Sequence, residues 1–265
     1  MTLRPQIVGA GLLSVCALFL AGSAHAQVAN GGFETGNLTG WVSSGFTAVE
    51  QSKVNPTSDG HYASFQINPT QGTYLALAGT DHFGGITPNP ATTAALETFL
   101  SLPGGTLNTI ANPDTAFEGS AFKQTFHASA GDIVSFDWDF ATSETSAPIN
   151  NDFGFYTLNG TAIKLADTNS TLSAIPGSLT APYDQHTGFS TRTFMIPTNG
   201  SYTLGFGAVN ANDDNISSAL LVDNVHIGAG GGGGTPAVPE PGSVALLFGA
   251  GIGSLLLKRK MKNRS

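Results

Sequence analysis

The sequence predicts a mainly β body, an antiparallel two-sheet sandwich of jelly-roll type. Three observations predict it: short runs with aromatic side chains at alternate positions, Gly, Asn, Pro and Ser punctuation between them, and no βαβ rhythm. Only one stretch has a helical period.

The first element is a removable one. Arg4 precedes an apolar run from Ile7 to Leu20, and Ala24-His25-Ala26 then places small residues where signal peptidase requires them. Residues 1–26 therefore read as a signal helix cleaved after Ala26. A transmembrane anchor is the competing reading, but the run is short and broken by glycines. Cys16, the only cysteine, lies inside this segment, so the mature chain has neither disulfides nor cysteine chemistry.

Within the body, Pro90 to Leu102 reads as one short helical insertion. Asn89 is its expected cap, Leu96, Phe99 and Leu100 its buried face, and Gly104-Gly105 its end. Strands follow at Ala121 to His127 and Asp132 to Phe140. In the latter, Val134, Phe136, Trp138 and Phe140 share one face, and Ser135, Asp137 and Asp139 share the outward one. Phe153 to Leu158 and Thr161 to Leu165 form a hairpin, because Asn159-Gly160 supplies the two positive-φ residues of a type I′ turn. Further strands are expected at Ser190 to Ile196, Ser201 to Val209 and Leu220 to Ile227, with Asn199-Gly200 as a second turn.

Residues 27–228 thus form the sandwich domain, and 229–238, rich in Gly and Pro, form a linker that cannot bury itself. The chain ends with Pro239-Glu240-Pro241, an apolar stretch and the basic cluster Lys258-Arg259-Lys260. From Gly242 to Leu257 a helix would reach about 24 Å against about 30 Å of hydrocarbon, which makes it a marginal span. Its basic end would stay cytoplasmic and leave the body outside.

That three-part order resembles the PEP-CTERM sorting signal. The resemblance covers residues 239–265, with the transmembrane helix at 243–257, and implies transient anchoring. The membrane protease exosortase would then cut near Pro239, Glu240 and Pro241 and leave the body at the cell surface or outside the cell. A permanent single-span anchor is the alternative.

The body also resembles a known class at both ends. Asn30-Gly31-Gly32-Phe33-Glu34, followed by Gly40-Trp41, is similar to the opening strand of galactose-binding-like jelly rolls, the fold of several carbohydrate-binding modules. Leu221-Val222-Asp223-Asn224-Val225 is similar to their closing strand. In those modules the equivalents of Glu34 and Asp223 help bind a structural Ca²⁺ that pins the termini together. The competing reading is that Glu34 caps a turn and Asp223 pairs with backbone amides. A weaker second cation site is Glu144 with Asn151 and Asp152, whereas Asp213-Asp214-Asn215 reads as a polar turn.

With the ends removed, the body holds seventeen acidic and four basic residues, a formal charge of −13, which excludes a nucleic-acid partner. No nucleophile elbow, P-loop, dinucleotide fingerprint or metal-spaced histidine pair occurs. Asp137 and Asp139 have a separation that glycosidase carboxylates could use, but alternation on an outward face accounts for them. Trp41 and Trp138 read as core rather than as sugar platforms. The expectation is therefore a non-catalytic surface or matrix protein associated with exopolysaccharide or biofilm. A lectin-like glycan-binding module is the alternative, and a divergent extracellular polysaccharide hydrolase ranks third.

Overall fold

Alternating apolar side chains build two antiparallel sheets that face each other. The structure is a computed structural model that describes residues 27–51, 66–81, 88–144, 150–175 and 183–228. The expected signal segment 1–26, the linker and the tail, with its helix at 243–257, lie outside the described residues. Among the described residues no helix is long and apolar enough to cross a membrane.

In chain order the strands are β1 (Val42–Ser44), β2 (Thr47–Glu50), β3 (Leu75–Gly79), β4 (Ala91–Thr92), β5 (Ala116–Ala128), β6 (Ile133–Thr142), β7 (Phe153–Leu158), β8 (Thr161–Asp167), β9 (Ser173–Ala174), β10 (Gln185–His186), β11 (Ser190–Met195), β12 (Gly200–Ala211) and β13 (Ser218–Gly228). Helices α1 (Thr93–Leu100) and α2 (Thr106–Ala111) lie between β4 and β5. One sheet runs β1-β5-β12-β7-β8 with β4 against β5. The other runs β2-β3-β13-β6-β10-β9, with β11 also on β6. From β5 onward the chain crosses between sheets at β5 to β6, β6 to β7, β8 to β9, β11 to β12 and β12 to β13, which makes the sandwich a jelly roll.

The hairpin forms as expected. Asn159 and Gly160 take φ of 47° and 77°, and β8 runs on to Asp167. Asn199-Gly200, by contrast, joins β11 to β12 across the two sheets and closes no hairpin. The helical region also differs from the expectation. Pro90 and Asn89 precede a two-residue strand, Thr92 caps α1, and Ser101 in the left-handed region ends it. Gly105 then opens the unexpected α2, whose first amides are held by buried Glu97: Gly105 N and Leu107 N donate to its carboxylate at 2.9 and 2.8 Å.

The central core is aromatic. Phe206 packs against Phe136 at 4.8 Å between ring centroids, Phe122 at 5.5 Å and Trp41 at 6.0 Å, and Phe33 joins from the N-terminal turn. The Asn30-to-Trp41 motif is a series of turns and contains no strand, although its two aromatics reach the core as expected.

Both outer faces are covered too. Leu96, Leu100 and Leu107 of the helices lie over Phe153, Phe155 and Val209 of the first sheet. Ile67, Ile175 and Tyr183 lie over Leu75, Leu77, Ala141, Ala219 and Leu221 of the second. Two outermost strands carry basic residues, Lys164 on β8 and Arg192 on β11.

Candidate functional site

Acidic side chains concentrate on the outer face of the second sheet. Asp223 stands directly opposite Asp137 on the neighbouring strand, and Leu221 opposite Asp139, so all three acids point away from the central core. For Asp137 and Asp139 the expectation was an outward polar face. Asp139 and Asp223 are fully buried and Asp137 nearly so, because residues 67–74 and a strap seen at residues 173–175 and 183–189 lie over them.

The covering segments are held by these acids. Asp137 accepts from the hydroxyls of Thr191 at 2.6 Å and Thr70 at 2.7 Å, and from Asn224 Nδ2 at 3.1 Å. Asp139 accepts from Thr187 at 2.9 Å and meets His186 Nδ1 at 2.6 Å. Asp223 Oδ2 accepts from Thr70 N and Gln71 N at 2.8 and 2.9 Å, shares the Thr70 hydroxyl proton with Asp137 at a longer 3.0 Å, and its Oδ1 accepts from Asn224 N at 2.6 Å. Desolvation still outweighs these donors and raises the Asp223 carboxyl above the usual range. As arranged, Asp137 and Asp139 clamp loops and present no pair of free carboxylates to a substrate.

The strap carries a pH-dependent link. The hydrogen bond to Asp139 holds the His186 imidazole above its ordinary value of 6.5. A raised folded value means that this stabilisation is complete below the unfolded value and fades as pH rises through the folded one. Wild type is therefore expected to exceed His186→Gln by about 1–2 kcal/mol at pH 5.5, with the gap narrowing toward pH 8. Urea melts at stepped pH measure it, and a constant or widening gap would refute the link.

Glu34 grips the same covering segment next to Asp223. Its Oε1 accepts from Thr73 N at 2.9 Å and Tyr74 N at 3.1 Å, and its Oε2 from Thr73 N at 3.1 Å. Gly72, at φ 67°, lets the carboxylate approach, since a Cβ there would overlap it. Glu34 and Asp223 therefore act on one loop, and their hydrogen bonding is the turn-capping and amide-pairing alternative. Backbone N–H groups engage every oxygen of both carboxylates, so no buried oxygen at this pair is left in need of the Ca²⁺ that the resemblance implies. Among the described residues no three His, Cys, Asp or Glu side chains gather into a metal-holding group.

The second acidic group lies at the end of the sandwich. Glu144 and Asp152 come together there, but Asn151 turns to Asp167 and Thr168. Burial pushes the Asp152 carboxyl up to about 8, with Ser218 and the Ala211 amide opposing the shift and Glu144 and Asp213 adding to it. Desolvation and Asp213 also raise Glu144. Asp213 Oδ1 caps Asn215 N at 3.1 Å, as a polar turn does, while its other oxygen accepts from Asn150. Sequence reasoning missed Asn210, Ser218 and Thr142 as members of this group. The available signal was a break in inward apolar register on three strands at once.

Trp41, Tyr183 and Tyr202 are buried, and Trp138 and Tyr74 are half-buried. Tyr62 lies outside the described residues.

No protein-family model matches the chain, and no curated protein matches it. Solved structures to which the chain is similar include a carbohydrate-binding module, TmCBM61, in complex with β-1,4-galactotriose. It has 10% identity, covers 76% of this chain and 96% of that one, and gives a TM-score of 0.37. The K3 cleaved adhesin domain of Lys-gingipain from Porphyromonas gingivalis w83 has 12% identity, covers 77% and 99%, and gives a TM-score of 0.37. The CBM22-1 xylan-binding domain of Paenibacillus barcinonensis Xyn10C has 12% identity, covers 76% and 93%, and gives a TM-score of 0.31. At these values the likeness assigns no ligand and no site to this chain.

Proposed function

We propose that the chain is an exported, non-catalytic surface or matrix protein whose sandwich body lies among extracellular polysaccharide. On this reading signal peptidase removes 1–26, and the helix at 243–257 holds the body at the membrane. Exosortase then acts near Pro239-Glu240-Pro241. The observation that carries the non-catalytic part is the covering of both sheet faces by the chain's own helices and strap. The buried acids beneath these covers are spent on holding them in place, Asp139 on the strap and Asp137 and Asp223 on the segment at Thr70. The sequence order of signal, acidic body, linker and tripartite tail supports the route.

Intact-mass analysis of the protein recovered from cells tests this directly. The expected mature chain begins at Gln27 and ends near Pro239, whereas an unprocessed cytosolic chain overturns the reading. A glycan array with the same material separates the roles. A selective, saturable hit favours the lectin-like module instead, and polysaccharide turnover that disappears in Asp137→Ala or Asp139→Ala favours the hydrolase.

A further inference from the structure

At the end of the sandwich where β6, β7, β12 and β13 meet, the inward positions change from apolar to polar. Thr142 follows Phe140, Asp152 precedes Gly154, Asn210 follows Ala208 and Ser218 precedes Leu220, each two residues beyond an inward neighbour on its own strand. These groups are buried. Part of the layer is satisfied internally: Asp152 accepts from Ala211 N at 2.8 Å and Ser218 Oγ at 2.6 Å, and Ser218 meets Thr142 at 2.8 Å. Glu144 joins through its amide, which donates to Thr142 Oγ1 at 2.9 Å.

The remainder is not satisfied. Among the described residues Glu144 Oε1 is buried with no hydrogen-bond partner, and so are both polar atoms of the Asn210 side chain. Val209 is opposite Phe153 in the ladder, so Asn210 follows on beside Asp152 and faces the same way. Glu144, Asp152 and Asp213 lie close enough to repel one another. None of the described lysines or arginines of the body answers them: Lys123 donates to the Phe99 carbonyl, Lys164 pairs with Asp167, and Arg192 lies over Tyr156.

Buried negative charge without a base needs a proton or a cation, and three hard oxygen donors near one another suit Ca²⁺. Whereas every carboxylate oxygen of Glu34 and Asp223 accepts a hydrogen bond, Glu144 Oε1 accepts none among the described residues, and each Asp152 oxygen accepts one and keeps a lone pair for a cation. We propose that Glu144, Asp152 and Asn210 form a Ca²⁺ site that ties the ends of β6 and β7 to the β12–β13 connection, with Asp213 adding negative charge at its rim. Two carboxylates and an amide oxygen, rather than three acids, are the ligands.

Calorimetric titration of the chelator-treated full-length protein with CaCl₂, paired with thermal melts, tests the site. The expected result is one bound Ca²⁺ and a Tm raised by about 5 °C or more at roughly 100-fold excess over Kd. Glu144→Gln and Asp152→Asn should each weaken binding by at least about tenfold, while Glu34→Gln leaves it unchanged. Metal-free Glu144→Gln should melt at or above the wild-type temperature, because it removes repulsion, whereas a merely structural Glu144 would give a lower value. No Ca²⁺ response, an equal response to Mg²⁺, or a response that follows Glu34 instead would overturn the proposal. None of those results bears on the export reading, which the mass measurement decides separately.

Discussion

Phe206→Ala is expected to lower the unfolding free energy by about 4 kcal/mol, enough to shift Tm by roughly 10 °C in a domain of this size. Phe206 is fully buried on β12, the strand between β5 and β7, and touches the rings of Trp41, Phe122 and Phe136, which come from three separate parts of the chain. Truncation would open a cavity that these large neighbours cannot fill without abandoning their own packing. Phe206→Leu should recover more than half of the loss. Equilibrium urea melts read both variants, and a loss under about 1.5 kcal/mol for alanine would show that the core is not organised around this ring.

Gly31→Ala comes second, with an expected loss of about 3 kcal/mol or more. The reason is backbone contact rather than backbone conformation. Val225 N donates to Gly31 O at 2.9 Å, and a Cβ on Gly31 would overlap the Val225 carbonyl outright. A carbonyl in the last strand cannot move aside as a flexible side chain can, so the opening turn would have to detach. Gly104→Ala is the control, since nothing lies within 4 Å of its would-be Cβ. Hydrogen exchange at Val225 should quicken in Gly31→Ala and stay unchanged in Gly104→Ala.

The strands were legible wherever a local rule sufficed. Asn159-Gly160 named its own turn, and aromatic alternation in β6 named its own faces. Alternation says which way a side chain points, not what covers it. The burial of Asp137 and Asp139 therefore had no local signal, because Thr70, His186 and Thr187 come from 47 to 67 residues away. The small residues of β3, Leu-Ala-Leu-Ala-Gly, carry no period-2 contrast because both of their faces are buried. The second helix was hidden for another reason: Glu97 caps it from the preceding helix, whereas sequence rules look for a cap immediately before the first turn. At the end of the sandwich, Glu144 and Asp152 were visible as a nearby pair of acids. Asn210 and Ser218 were not, since strand pairing alone brings them close.

Two of the edge strands also bear on how copies of the body meet. Lys164 on β8 and Arg192 on β11 stand on strands whose outer edges pair with no other described strand. A second molecule that extended either ladder would set like cations next to each other, and the two bodies would also meet at a formal charge of −13 each. Even when packed densely, copies of this protein should resist joining edge to edge into ribbons through these two strands.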